Sequence, residues 1–397
     1  MTTRIYYSDA SAREFDANVI DASTHEGRPA AVLDRTAFYP TSGGQPNDTG
    51  LLGAARVIDV IDREDGEIVH VLDRQLSAGP VKGTIDWDRR FEHMQQHTGQ
   101  HILSAACDKV LGARTVSFHL GTERSTIDLS RDLSPADVAR AELEANRVVW
   151  DDRPVSVRFV SDEEAAALPL RKEPKRTGKL RIVEVTGYDL SACGGTHVGR
   201  TGAIGLIAVS AAEKYKGGAR IEFVCGGRAL RVFGGLRDTV TGCVRQLSVL
   251  PVELPDAIAR LQGDAKDSQR TVKTLQEKLA GFEAQTLVSR AVPAGQWRAV
   301  VETALWDAPG LKALAAAATA APRVVAVLFN PLVGLVIVAR SADVVFDSSA
   351  AVKALVAQFG GRGGGRPELA QAGGLTGTPD GVLEAARQLV AAAGDTR

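Results

Sequence analysis

Two pairs of residues in this chain are spaced for chemistry. His97 and His101 stand four positions apart in Gln96-His-Thr-Gly-Gln-His-Ile-Leu, and Cys193 and His197 stand four apart in Ala192-Cys-Gly-Gly-Thr-His-Val. On a helix that spacing puts two side chains on one face, a turn apart. In a tight Gly-Gly turn it lets two ligands curl back onto one point. Three imidazoles and one thiolate make a tetrahedral donor set suited to Zn2+. Alone, a helical His pair is more often solvated or packed in a core, and a CxxxH is weaker still. The two pairs together, in a chain with only seven His and four Cys, point to one zinc site.

The elements around these pairs have a clear order. Residues 1–88 alternate apolar and polar in short runs such as Ala55-Arg-Val-Ile-Asp-Val-Ile, separated by Gly, Asp and Asn turns, which predicts a small β-barrel-like domain. Within it, Phe38 to Gly50 is rich in Gly, Pro and small polar residues. Such a loop either lies plainly on the surface or brings its backbone close to a ligand, with Thr41, Ser42, Gln45 and Asp48 supplying polar contacts. From Trp87, the spacing of Phe91, Met94, Ile102, Leu103 and Ala106 predicts an amphipathic helix carrying His97 and His101. His93, a turn earlier, is expected to support the site from behind or to face solvent. A strand pair follows around Gly121, with His119 on its first strand, then a helix opened by Ser134-Pro135.

Leu170 to Arg181 holds six basic residues and one acidic one just before the Cys-His turn. It reads as a solvated loop or, given that position, as a phosphate-contacting one through Arg171, Lys172, Lys175 and Arg176. Between Pro255 and Pro293, Ile258, Leu261, Ala265, Ser268, Val272, Leu275, Leu279, Phe282 and Thr286 recur at alternating steps of three and four. That is a heptad seam with a weak middle, suited to a helical arm or to a dimer. Beyond it, strands near 323–329 and 332–338, a helix near 349–358, a Gly-rich loop and a closing helix from about 379 suggest an α/β domain. The loop Gly360 to Gly374 carries seven glycines with Arg362 and Arg366, a composition suited to phosphate or RNA.

Composition bounds the rest. At 397 residues, with 44% apolar and 24% charged residues, the chain is ordinary globular protein of several domains. A net charge of −1 carries no global basic field, so nucleic-acid contact must come from local patches. No signal peptide opens the sequence and no run reaches the ~20 apolar residues of a membrane span, so a cytoplasmic location without membrane contact is expected. Cys107, Cys225 and Cys243 read as buried small apolar residues, not as a disulfide framework.

The order Phe38-Tyr-Pro-Thr-Ser-Gly-Gly-Gln-Pro, Gln96-His-Thr-Gly-Gln-His, Ala192-Cys-Gly-Gly-Thr-His, heptad helix and Gly360-Gly-Arg-Gly-Gly-Gly-Arg-Pro-Glu-Leu-Ala-Gln-Ala-Gly-Gly resembles the editing half of alanyl-tRNA synthetase. More closely it resembles the free-standing alanyl-tRNA editing proteins of the long AlaX type, over essentially the whole chain. That resemblance implies an α+β multidomain fold: an N-terminal barrel-like domain (1–88), a zinc-containing editing domain (89–232), a helical linker (233–293) and a C-terminal tRNA-binding or dimerisation domain (294–397). It implies hydrolysis of tRNA(Ala) mischarged with serine or glycine. His97, His101, Cys193 and His197 would be the zinc ligands, and Thr41, Ser42, Gly43, Gly44 and Gln45 the lining of the amino-acid pocket. The ester hydrolysis also calls for a polar helper, for which Asp189 and His119 are the candidates in this chain. The chain starts at the β-domain that precedes editing and has no P-loop, so a deacylase and not a ligase is expected. A threonyl-type editing domain and a zinc-stapled tRNA-binding protein without catalysis are the alternatives.

Overall fold

The computed structural model describes residues 1–172 and 178–395. They form two compact units, Met1–Gly242 and Cys243–Arg397.

The first unit opens with a closed six-stranded barrel: β1 (Glu14–His25), β2 (Arg28–Leu33), β3 (Gly50–Leu52), β4 (Ala55–Asp62), β5 (Ile68–Leu72) and β6 (Gly79–Ile85), joined round in the order β1-β2-β5-β4-β3-β6. The alternation seen in the sequence is the barrel's inside and outside: Ala17, Val19, Leu33, Leu52, Val57, Val60 and Leu72 fill its core. The Phe38–Gly50 loop leaves β2 and returns to β3. Its base is closed by Asp48, whose carboxylate accepts from the Tyr39 amide at 2.6 Å.

Helix α1 (Trp87–Leu111) follows at once. It is capped at its start by the Asp86 side chain and at its end by Gly112 at φ 63°, the left-handed stop that favours glycine. The expected amphipathic helix, with a solvent face, is not what forms. His93 to Cys107 are all buried, because α1 is covered on several sides. One cover is the four-stranded antiparallel sheet of β7 (Thr115–Leu120), β8 (Ser125–Leu129), β12 (Ile207–Tyr215) and β13 (Gly218–Cys225), in the order β12-β13-β8-β7. Another is α2 (Pro135–Trp150), which begins with a full capping box on Ser134. His93 is therefore buried and not solvent-facing, its Nδ1 has no partner among the described residues, and burial pushes its pKa down to about 4. A smaller sheet, β9 (Val155–Val160), β10 (Leu180–Val185) and β11 (Asp189–Ala192), leads into the Cys-Gly-Gly-Thr-His turn.

Helix α3 (Gly226–Leu247) runs across the boundary between the units. The second unit then carries α4 (Leu254–Ser289), one continuous helix of 36 residues. After it comes a mixed six-stranded sheet: β14 (Val292–Ala294), β15 (Trp297–Thr303), β16 (Val324–Asn330), β17 (Leu335–Arg340), β18 (Arg362–Gly365) and β19 (Leu369–Gly373), in the order β14-β15-β16-β17-β19-β18. Every residue of β16 is buried, since its two faces meet two cores. Val325, Val327 and Phe329 pack towards α6 (Ser348–Phe359) and α7 (Pro379–Gly394). Val324, Ala326 and Leu328 pack towards α4 and α5 (Ala308–Thr319). The Gly360–Gly374 stretch, expected to be a loop, is an edge hairpin. Gly363 and Gly365 pair with Ala372 and Ala370 so closely that a Cβ on either would strike the partner strand. All four cysteines are free; Cys107 and Cys225 are buried, whereas Cys243 is only half-buried. Among the described residues no helix is long and apolar enough to cross a membrane.

Candidate metal centre

The helix and the turn bring the two pairs together. The ligand atoms of His97, His101, Cys193 and His197 all lie within 4.8 Å of one another. The Cys193 thiol is 3.3 Å from His97 Nε2 and 3.4 Å from His197 Nε2. A tetrahedral zinc with ordinary Zn–S and Zn–N bonds has a sulfur–nitrogen edge of about 3.6 Å, so these separations fit the ion within a few tenths of an ångström.

The ring orientations pass a second test. Each histidine has its Nδ1 held by an acceptor and its Nε2 turned to the cluster. His97 Nδ1 is 2.8 Å from Gln45 Oε1. That oxygen also accepts from the Thr196 amide at 3.2 Å, which fixes the amide's orientation and hence the proton on His97 Nδ1. His101 Nδ1 is 3.1 Å from Asp189 Oδ2. His197 Nδ1 is 3.2 Å from Thr98 Oγ1, whose one proton goes to the Met94 carbonyl at 2.9 Å, leaving it only lone pairs to offer the ring. All three rings thus hold Nδ1–H towards an acceptor and turn Nε2 to the cluster, the orientation in which an unprotonated Nε2 binds a metal.

Glycine makes the assembly sterically feasible. A Cβ on Gly195 would overlap the His97 ring, and one on Gly99 would overlap Cys225 Sγ, so α1, the Cys-His turn and β13 approach only because both positions lack side chains. Arg181, buried on β10, fastens the turn by donating from Nη1 to the carbonyls of Cys193 at 2.7 Å and Gly195 at 2.9 Å.

The charges are consistent with a cation site. Burial would raise the Cys193 thiol, but His97 and His197 around it hold its pKa well below the usual value. Burial pushes His197 down to about 3. Burial also opposes charge on His101, yet Asp189 and Cys193 outweigh it and raise the ring to about 9. Asp189, buried but flanked by His101 and Arg171, stays well below the carboxylate range.

The structure sorts the other expected residues. Asp189 adjoins the cluster through His101, as a positioning group. His119 does not reach it: Phe118 turns its ring to His97 at 6.1 Å, and strand alternation sends the exposed His119 to the opposite face of β7. Gln45 is buried between His97 and Thr196, to whose hydroxyl its Nε2 donates at 2.8 Å, and so does not line an open pocket. Asp48 is wholly buried against Arg90, with Nε 3.0 Å from Oδ1, so its carboxylate holds the loop to α1 and is closed off from substrate. Ser42-Gly43-Gly44-Gln45 is a tight turn closed by reciprocal Ser42–Gln45 backbone bonds, with φ 55° and 80° at its glycines. Thr41 is exposed beside it and accepts from the Asn47 amide at 3.1 Å. Arg171 is not a free phosphate ligand, because its Nε donates to Asp189 at 2.6 Å and neutralises that buried carboxylate. Lys172 is exposed; Lys175 and Arg176 lie outside the described residues. Arg362 and Arg366 are exposed at the edge hairpin of the second unit.

Sequence reasoning missed the roles of Thr98, Thr196, Gly195 and Arg181. Thr98, Gly195 and Thr196 had a signal, since each lies inside a ligand motif and adjoins or nearly adjoins a ligand.

A barrel tied to a buried His-bearing helix, with a Cys-Gly-Gly-Thr-His turn on a small sheet, defines a synthetase-type editing module. Residues 180–222, which hold Asp189, Cys193 and His197, match the model of the threonyl and alanyl tRNA synthetase second additional domain. The chain is 31% identical to the alanyl-tRNA editing protein AlaX-L of Pyrococcus horikoshii, over 97% of its own length and 98% of that protein. It is 35% identical to an alanine–tRNA ligase of Methanoregula boonei over 94% of its length, and 34% identical to that of Methanothrix thermoacetophila over 98%, but covers only 42% and 44% of those ligases. The chain belongs to the alanyl-tRNA editing proteins of the AlaX-L type.

Proposed function

We propose that the chain is a trans-editing hydrolase that deacylates tRNA(Ala) carrying serine, and in second place glycine, with one zinc ion per chain. The observation that carries this reading is the convergence of three imidazoles and the Cys193 thiol beside the Gly43-Gly44 turn, in a chain similar throughout to an alanyl-tRNA editing protein. His97, His101, Cys193 and His197 hold the metal. When bound, it supplies Lewis acidity for the carbonyl or its water, or a grip on the substrate's end. Gln45, Asp189 and Thr98 keep the ligand rings aimed, and Arg171 keeps Asp189 ionised. Thr41, Ser42, Gly43 and Gly44 face the amino acid, and the Thr41 hydroxyl reads the serine hydroxyl. A site that hydrogen-bonds the hydroxyl rejects alanine far more strongly than an apolar pocket rejects serine.

Lys172, Lys175 and Arg176 meet the acceptor end, and Arg362 and Arg366 the tRNA body, in a four-part division at 88, 232 and 293. Ile258, Leu261, Val272, Leu275, Leu279 and Phe282 are 44 to 71% exposed on α4, which supports a homodimer through the heptad seam. The protein acts in the cytoplasm. The test is deacylation of Ser-, Gly- and Ala-tRNA(Ala) with and without chelator. A zinc-loaded protein that cleaves none of them above the spontaneous rate, yet binds tRNA(Ala), is a stapled binding module instead.

A further inference from the structure

Beside the metal centre lies an aromatic and basic cluster that neither the core nor the ligand cage requires. Phe159 on the edge strand β9 is 42% exposed, whereas the core under this sheet closes over Val160, Ala165, Leu180 and Ile182 without it. In register, Phe159 stands opposite Arg181, the residue that clamps the Cys-His turn. Phe159 therefore sits one strand from the metal ligands and on the face that carries Arg181.

Tyr7 joins the two. Its carbonyl accepts from Arg181 Nε at 3.0 Å, and its ring lies 6.4 Å from that of Phe159. A Cβ placed on Gly194, the exposed residue next to Cys193, would lie 3.9 Å from the Tyr7 hydroxyl. Cations converge on both rings. Lys179 Nζ is 5.2 Å from the Phe159 centroid, and the guanidinium groups of Arg4 and Arg181 are 5.5 and 5.6 Å from the Tyr7 centroid, where Arg4 is held by Asp62 at 2.7 Å and Arg181 by the Cys-His turn. Tyr7, Val157, Arg181 and His197 share a cleft of about 210 Å3.

Exposed rings flanked by cations are how proteins hold unpaired RNA ends: the ring stacks on a base of any identity and the cations meet the phosphates. The ester of an aminoacyl-tRNA is on the last ribose, so a base held next to Gly194 brings that ester to the metal cluster. We propose that Phe159 and Tyr7 form the platform on which the 3′-terminal base of the RNA stacks, with Lys179 facing its phosphates. This rests on the deacylase reading for the identity of the RNA.

The test uses the full chain and an uncharged acceptor-stem minihelix whose 3′-terminal adenosine is replaced by fluorescent 2-aminopurine, a base whose emission is quenched by stacking. Wild type should quench it on binding. Phe159→Ala and Tyr7→Ala should lose most of the quench and bind on the order of 10- to 100-fold more weakly, while Phe159→Tyr restores both. With the serylated minihelix, Phe159→Ala should raise KM and leave kcat nearly unchanged. Should Phe159→Ala destabilise the sheet, Phe159→Leu keeps the apolar volume without the ring and must lose the quench. Equal quenching in wild type, Phe159→Ala and Tyr7→Ala overturns the proposal, and so does a wild type that deacylates without quenching. A wild type that quenches but does not deacylate leaves the platform standing and removes the deacylase reading, so the two failures are distinct.

Discussion

The Gln45 side chain is the sharpest point at which to probe the metal cage, because it touches a ligand without being one. Its Oε1 accepts from His97 Nδ1 and from the Thr196 amide, and it is buried. Gln45→Leu keeps the volume and leaves both donors without an acceptor. A buried donor left unpaired costs about 1–3 kcal/mol, and loss of a ligand's outer hydrogen bond typically weakens metal binding 10- to 100-fold, about 1.4–2.7 kcal/mol. Two donors are stranded here, one on the ligand ring and one on the turn that carries His197, so the upper half of that range is expected. Competition for Zn2+ against a chelating dye gives the affinity, and circular dichroism of the zinc-saturated variant reports that the fold is kept. Unchanged zinc affinity in Gln45→Leu would refute the claim that this contact sets the His97 tautomer.

Other outcomes follow from the packing around the cluster and the barrel. Gly195→Ala pushes a methyl into the His97 ring and should abolish stoichiometric zinc binding, whereas Gly199→Ala, which meets open space, should leave it intact; equal zinc content in both variants would contradict the packing argument. His70 is wholly buried, accepts a hydroxyl from Thr36 and donates to the Ala31 carbonyl, and burial pushes its pKa from 6.5 down to about 4. The unfolded chain therefore takes up a proton on His70 between those values that the folded chain refuses, so stability falls as pH drops from 6.5, by about 3 kcal/mol once below pH 4. In urea unfolding, His70→Gln should flatten this part of the pH dependence, and an unaltered slope would show the group is not responsible. Leu275→Asp combined with Leu279→Asp should halve the mass measured by light scattering if α4 pairs with a second copy; an unchanged mass assigns the seam to an arm within one chain.

Local periodicity made much of this molecule legible. The barrel follows from alternation in runs such as Ala55 to Ile61, which buries Ala55, Val57 and Val60 and is broken only by a register shift between Val57 and Asp59, and α1 from the spacing of its apolar residues. The two four-residue pairs named all four members of the ligand cluster, because helix and turn geometry act over a few residues. What could not be read was whatever depends on chain segments far apart in sequence. Gln45 meets residues 52 and 151 positions away, and nothing in a Gly-rich loop announces that its glutamine will face inward. Asp48 reads as a polar loop residue because its buried partner Arg90 lies 42 positions away. Arg171 looked like part of a phosphate loop because its charge was visible and its buried partner Asp189 was not. The glycines of 360–374 suggested a loop, although glycine also serves where two strands cross too closely for a Cβ, as at Gly363 and Gly365.

The central claim is that the His97, His101, Cys193 and His197 cluster holds a metal that an aminoacyl-tRNA deacylase requires. Its most direct test is the rate of Ser-tRNA(Ala) hydrolysis by zinc-loaded protein, by the same protein stripped with a chelator, and by the stripped protein reloaded with zinc. Hydrolysis of Ser-tRNA(Ala) is expected well above the spontaneous rate and faster than that of Ala-tRNA(Ala), lost on stripping and restored on reloading. Hydrolysis that is equally fast in the stripped protein would contradict it.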